Sequence, residues 1–349
     1  MKLMQKILLI LALLVILPMT ACDAATDPAP SGELASFFPF KHNTLVTFAV
    51  EGTDDPGFRT IYNTYIRGNR VQRMIGATMF PPSTEIIEIT DDQVRLIFGD
   101  PFHYFIEDLT GIQPSLEVII LQSPLEVGTT WNNGAEVSTI TGVDVPVETP
   151  MGTFSALEVT TITSAGFEEK YYYAEGIGLI KSIHPNPRGT FVVAIYEIQE
   201  DIPAQLPMIA LFPDVENNTT YAYLRIIEAR TNADLFPLFV HELATAPSDD
   251  VLPLLPDSSL INSMHIYRAD NFTHVDMSPA LHDWQGLGDG TIYATFMALV
   301  NTIGLFTDVT HVSFSMNGEP FEWGPISLNP GEGVRVHDFD DPGMDITVR

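Results

Sequence analysis

The run His241-Glu242-Leu243-Ala244-Thr245 begins as a zinc-protease helix begins, with an imidazole followed by a carboxylate that could act as general base. Such a site needs a second imidazole at i+4, so that two ring nitrogens on one helix face share the metal. Position 245 is Thr, and the second ligand is missing. No Gly-x-Ser-x-Gly elbow offers a serine nucleophile. Cys22 is the single cysteine, and acylation there would leave no thiol for covalent catalysis. The tail His337-Asp338-Phe339-Asp340-Asp341-Pro342-Gly343-Met344-Asp345 lacks the EF-hand ligand order and its terminal Glu, so it reads as a solvated acidic loop or a loose Ca²⁺ contact. These patterns point to a chain with no catalytic residues, no metal site and no cofactor.

One constellation survives a register argument. With Asp270 and Asn271 as a two-residue hairpin turn, Ala269 pairs with Phe272, Tyr267 with His274, and His265 with Asp276. Met264, Ile266, Val275 and Met277 then face covering helices, and the polar set lies on the open face. A His265/Asp276 pair with His274 diagonally nearby has the chemistry to bind a transition metal or to titrate near neutral pH. It has equally the chemistry of plain cross-strand polar pairing. With Tyr267, these three are the candidate partner-binding residues.

The elements that must position them belong to a long acidic chain. Sixteen Lys and Arg stand against 45 Asp and Glu in 349 residues, a formal net charge of −29, which repels nucleic acid and anionic lipid. A hydrophobic share of 45% with 17% charged residues fits a globular protein, and about 150 residues per domain gives about two domains. Residues 1–21 read as a signal peptide: Lys2 and Lys6, an apolar run over 7–17, then Thr20 and Ala21. Met19-Thr20-Ala21-Cys22 resembles a bacterial lipobox, with Met19 in place of the usual Leu, which implies diacylation of Cys22 and anchoring at the extracytoplasmic face of the membrane. Residues 22–36, rich in Ala, Pro, Ser and Asp, read as the lipidated tether.

Residues 37–202 alternate short β-type runs with turn signals and form an antiparallel β domain. The runs Pro124-Leu125-Glu126-Val127-Gly128-Thr129-Thr130-Trp131, Thr149-Pro150-Met151-Gly152-Thr153-Phe154 and Tyr171-Tyr172-Tyr173-Ala174-Glu175-Gly176-Ile177-Gly178 resemble a pattern of secreted bacterial lipoproteins. That resemblance implies a curved sheet or half-barrel, in some cases holding an apolar ligand. Gly152, Gly176 and Gly178 supply positive φ or a bulge. Pro203, Pro207 and Pro213 place a linker at 203–218.

Beyond it the order βαββαβ predicts a split βαβ arrangement, both helices on one face of a four-stranded sheet, and an α+β fold class for the whole. In its long helix, Ile292, Phe296, Leu299 and Ile303 form an apolar stripe, with Asp289 as N-cap and Gly304 near the end. Leu255-Pro256-Asp257-Ser258-Ser259-Leu260, His274-Val275-Asp276-Met277-Ser278, Leu299-Val300-Asn301-Thr302-Ile303 and the run ending Asn317-Gly318 resemble the GerMN domain of sporulation, spore-germination and LpqB-like lipoproteins. The resemblance spans residues 219–320 and implies a non-catalytic envelope module that binds an envelope protein or the cell wall. Residues 321–349 read as a hairpin extension. Two functions follow as expectations: a membrane-anchored binding or scaffold lipoprotein, or a carrier of a lipid or other hydrophobic ligand in the β domain.

The leader generates a first test. Mass spectrometry of the mature N-terminal peptide should find a diacylglyceryl group on Cys22, and Cys22→Ser should leave the chain soluble or unprocessed. A mature N-terminus elsewhere would refute it.

Overall fold

Alternating apolar and polar residues build strands that send successive side chains to opposite faces. The computed structural model describes residues 30–52, 57–77, 80–100, 107–214, 219–248, 251–284, 287–337 and 346–348. Cys22 and the acidic tail 338–345 lie outside them. Twelve strands form one antiparallel sheet: β1 (Leu45–Glu51), β2 (Gly57–Arg67), β3 (Arg70–Ala77), β4 (Phe80–Ile89), β5 (Gln93–Asp100), β6 (Val118–Gln122), β7 (Thr130–Asn133), β8 (Glu136–Thr149), β9 (Gly152–Ile162), β10 (Glu168–Ala174), β11 (Gly178–Asn186) and β12 (Gly189–Gln199). Their order, β6-β5-β4-β3-β2-β1-β12-β11-β10-β9-β8-β7, makes β6 and β7 the two edges.

The sheet curls until those edges meet, and side chains close the seam. Ile119 N donates to Asn133 Oδ1 at 2.9 Å, while Asn133 Nδ2 and Trp131 Nε1 donate to Ile119 O at 2.9 and 3.0 Å. The carboxamide thus stands in for a peptide group of the missing ladder. The expected half-barrel is in fact a nearly closed barrel, and the chain is mostly β. Leu34 and Phe38, in and just after the short helix α1 (Glu33–Phe37), pack with Val71, Trp131 and Tyr173 in the barrel's apolar cluster. The tether therefore ends before residue 33, because Leu34 is buried. Gly152, Gly176 and Gly178 do take positive φ, at 142°, 73° and 98°.

The linker expectation is corrected. Residues 204–214 are a strand, β13 (Ala204–Asp214), paired along its whole length with β14 (Thr219–Ala229). β13 is an edge strand, where proline is tolerated because the outward side needs no N–H for a ladder. Leu211, of the same parity as Pro207 and Pro213, directs its N–H away from β14 to Thr302 Oγ1 at 2.9 Å.

The following elements are α2 (Leu235–Leu243), β15 (Ile261–Tyr267), β16 (Phe272–Met277), α3 (Asp289–Thr307), β17 (His311–Met316), β18 (Glu319–Trp323), β19 (Ile326–Leu328), β20 (Gly333–Arg335) and β21 (Ile346–Val348). The βαββαβ order from β14 to β17 is present, but its first strand lies in another sheet. β13, β14 and β21 form one sheet; β15 to β19 form a second, with β20 added on β17. The reason lies in α3. Its stripe Ile292, Phe296, Leu299 and Ile303 is buried as expected, but so are Val300, Thr302 and Gly304 around the helix. A helix apolar all round needs cover on two sides, and β13 packs against it opposite β16 and β17. Such a helix is also long and apolar enough to cross a membrane, yet two thirds of it is buried as a core element.

Details at the ends of α3 differ from expectation. Gly288 is the N-cap, Asp308 closes the C-terminus at φ 51°, and Gly304 is needed for packing, since a Cβ there would lie 2.1 Å from Val336 Cγ2. The segment after residue 320 is woven into both sheets through β18, β20 and β21, rather than extending beyond the module.

The two bodies are joined firmly. Tyr62, on the outer face of β2, is 1% exposed within the C-terminal core, and its hydroxyl donates to Ile202 O at 3.1 Å. Asn43 N donates to Thr231 Oγ1 at 2.8 Å and Thr231 N returns a bond to Asn43 Oδ1 at 3.0 Å. Asn232 N donates to Thr64 O, and Ile66 N to Asn232 Oδ1, both at 2.8 Å.

Asn133→Ala should remove two of the barrel's closing bonds and leave Ile119 N without its acceptor, the Ile119 carbonyl keeping Trp131, and so lower stability by about 1–3 kcal/mol. Urea unfolding checks this; an unchanged midpoint would refute the closing role.

Candidate functional site

The loop between β15 and β16 is longer than a two-residue turn. Arg268–Asp270 form a 3₁₀ turn and Asn271 takes φ 55°. Tyr267 therefore pairs with Phe272, and His265 with His274, while Asp276 lies opposite Ser263. The expected register is two residues out. A shift of two preserves the faces, so Val275 and Met277 are fully buried as expected, but it separates the proposed His265/Asp276 pair.

His274 and Asp276 instead join β17. Ser315 Oγ donates to Asp276 Oδ1 at 2.5 Å, and the same carboxylate accepts from Gly318 N at 2.8 Å and Asn262 Nδ2 at 2.9 Å. Burial would raise the Asp276 pKa, but these donors outweigh it and hold the carboxyl below its ordinary value. His274 Nε2 and Nδ1 each lie 3.0 Å from a serine oxygen, Ser315 and Ser313. Because Ser315 gives its hydrogen to Asp276, Nε2 carries the proton and Nδ1 accepts from Ser313. This is a satisfied polar network. Among the described residues no group of three His, Cys, Asp or Glu side chains is arranged to hold a metal. Glu242 of the protease-like run is bound in an ion pair with Arg225 of β14.

His265 and Tyr267 have a different setting. They line a cleft of about 560 Å³ between the barrel and the C-terminal body. One wall is barrel: Tyr65, Arg67, Glu107 and Asp108, with Arg67 Nε 2.9 Å from Asp108 Oδ2. The other includes β15, an edge strand with one side free of any strand partner among the described residues, and Asp234, whose carboxylate caps α2 through Phe236 N. Tyr267 is 45% exposed and stacks on Phe272 at 4.6 Å. The structure thus brings His265 and Tyr267 together at this cleft and sends His274 and Asp276 into the adjacent network.

Neither comparison by sequence identifies the chain. No family model matches it, and no curated protein matches it. Among solved structures, it is similar to a protein of Bacteroides fragilis NCTC 9343 named as exported and of YmcC-like fold, at 12% identity, over 46% of this chain and 98% of that one, with a TM-score of 0.29. It is likewise similar to a protein of Parabacteroides distasonis ATCC 8503 named as a lipoprotein, at 11% identity, over 47% and 98%, with a TM-score of 0.30.

A second cavity, of about 330 Å³, lies in the barrel lumen. Charged and polar residues missed by sequence reasoning face it, notably Arg59, Arg73, Glu85 and Ser182. Each sits in an alternating run, where a charge reads as solvent-facing unless closure of the sheet is known. Ser182 Oγ lies 2.8 Å from His184 Nε2, and His184 Nδ1 lies 3.3 Å from Glu169 Oε1. The order resembles a charge relay, but acyl transfer also needs backbone N–H groups free to hold an oxyanion. Ser182 is mid-strand, paired with Tyr171 on one side and Val193 on the other. The cluster orients an imidazole that also stacks on Phe191 at 4.4 Å. Tyr171 donates to Glu169 Oε2 at 2.6 Å, and burial followed by that carboxylate pushes its pKa up.

The His274 network generates a pH test. Burial chiefly, and His265 with it, lower the His274 pKa against the pull of Asp276. The unfolded chain then takes the proton first, so this contribution to stability is full above about pH 6.5 and falls as pH drops below it. Urea midpoints measured from about pH 7.5 to pH 5 should fall toward acid, and His274→Gln should flatten that part of the profile. An identical acid slope in the variant would refute the assignment.

Proposed function

We propose that the chain is a lipid-anchored, extracytoplasmic binding protein without catalysis of its own, in which a GerMN-like C-terminal body takes an envelope partner and the barrel is its mount. The anchor rests on the sequence around Cys22. The observation that carries the binding reading is the cleft along β15: an unpaired strand edge, flanked by His265 and the exposed ring of Tyr267, with a volume of about 560 Å³. A free edge can accept an extended segment by main-chain hydrogen bonds, and an adjacent aromatic supplies an anchor for one of its side chains. Glu107 and Asp108 are paired with Arg268 and Arg67, so the preference for a basic segment rests on Asp234 at the cleft and on the formal charge of −29, and such an association weakens as salt rises. The GerMN reading is supported by Leu255 to Leu260, the β16 run and Asn317-Gly318, and by the βαββαβ order.

A second reading, carriage of a hydrophobic ligand, is favoured by the lumen cavity of about 330 Å³, whose walls include Phe48, Ile61, Leu96 and Val193. Its volume falls within the range of about 300–1,000 Å³ usual for small-molecule sites.

The binding reading is tested by co-purification from solubilised envelopes. Tyr267→Glu should reduce recovery of the partner about tenfold or more without altering the unfolding midpoint, whereas Leu224→Glu on the exposed face of β14 should not. A partner indifferent to Tyr267→Glu, or a hydrolase activity abolished by one conservative substitution, would overturn it.

A further inference from the structure

The charged groups within the barrel are unequally partnered: Glu169 is engaged by Tyr171 and His184. Glu85 on β4 is held by Arg73 on β3, whose Nε and Nη2 both reach Glu85 Oε2, at 3.0 and 2.6 Å. Arg59, on β2, faces the same cavity and is the second cation beside that one carboxylate. Its Nε is buried and meets no acceptor among the described residues. Two other polar groups of the lumen wall have partners within the protein, Ser182 in His184 and Tyr171 in Glu169. Around these groups the wall is apolar, with Phe48, Ile61, Leu96, Ile120, Leu179 and Val193 drawn from β1, β2, β5, β6, β11 and β12.

Arg59 is partly buried, and a guanidinium nitrogen withdrawn from water costs free energy unless it finds an acceptor. A neutral ligand would fill the apolar space and leave Arg59 as it is; a cationic one would add repulsion. A carboxylate would supply the missing acceptor together with a negative charge beside the cation, in the two-oxygen geometry that a guanidinium fits. The cavity, about 330 Å³, is near the lower end of small-molecule sites and suits one hydrocarbon chain rather than two.

We propose that the barrel lumen binds an anionic, single-chain amphiphile, its carboxylate on Arg59 and its chain along the apolar wall. This inference rests on the carrier reading and names the ligand class. Arg73 stays on Glu85, with its guanidinium 5.2 Å over the Phe38 ring, and so borders the head group without being released to it.

The test uses the full chain in phosphatidylcholine nanodiscs, with empty discs as the partition blank, titrated calorimetrically with laurate, dodecanol and dodecyltrimethylammonium. Laurate should bind at least about tenfold tighter than dodecanol, and the cation should bind weakest. Arg59→Met should bring laurate down to the level of dodecanol and leave dodecanol unchanged. The same variant should raise the unfolding midpoint of the ligand-free protein, because a partly buried cation whose Nε has no acceptor has gone; a merely structural arginine would lower it. Equal binding of laurate and dodecanol by the unaltered chain, a comparison independent of any variant, would overturn the anionic inference and leave the carrier reading standing. So would laurate affinity unchanged in Arg59→Met. Binding of none of the three probes would overturn the carrier reading and this inference together.

Discussion

A sheet of twelve strands has two edges whatever its curvature, and this barrel depends on how they are reconciled. β6 and β7 do not form a regular ladder; Asn133 supplies an amide donor and a carbonyl acceptor from its side chain, and Trp131 adds an indole N–H to the same Ile119 carbonyl. The edge is thereby satisfied without a twelfth full backbone pairing, which is the alternative to exposing it as a template for aggregation. Closure has two consequences. It creates an inside, so inward side chains must fill space, pair, or leave a cavity. It also leaves the outer face available as a platform.

The platform is used by the C-terminal body. Its junction with the barrel combines one deeply buried aromatic, Tyr62, with a set of directional bonds among Asn43, Thr231, Asn232 and the β2 backbone. Apolar contact alone would hold the bodies together in many orientations. Reciprocal bonds such as Asn43 with Thr231 select one, and the ion pair of Arg268 with Glu107 at 3.0 Å adds a second point across the cleft. The cleft wall is therefore part barrel and part C-terminal body by construction.

How much of this was legible depended on what each residue could report by itself. Alternation identified most strands of the barrel and the faces of β15 and β16, because a side chain's burial preference survives any register shift of two. The pairing of His265 was lost because it required the loop length, and Arg268–Asp270 have no turn signature that distinguishes a four-residue connection from a two-residue one. β13 was read as linker because proline argues against a central strand; nothing local tells an edge strand from an interrupted one. The stripe on α3 was visible, but a second buried face made of Val300, Thr302 and Gly304 resembles ordinary helix filler until a second sheet covers it. Charges at Arg59 and Glu85 were invisible as lumen residues for the same reason: inside and outside exist only after closure.

The lumen and the cleft meet in one strand, and one extra residue separates their chemistry. In β2, Arg59 and Ile61 point into the lumen and Tyr62 outward. Had strict alternation continued, Tyr65 and Arg67 would also point inward. The register with β3 slips between Asn63 and Tyr65, so Thr64 is the additional residue of a bulge, and beyond it Ile66 joins the barrel cluster while Tyr65 and Arg67 turn to the cleft. The bulged backbone is not left unmet: Thr64 O accepts from Asn232 N, and Thr64 Oγ1 donates to Gln72 O at 3.2 Å. Without that residue, Arg67 would enter the lumen as a further cation and Ile66 would be lost from its wall, while the cleft would lose the arginine that pairs with Asp108. A single bulge thus lets one strand serve an apolar interior with a sparse charge at one end and a charged interface at the other.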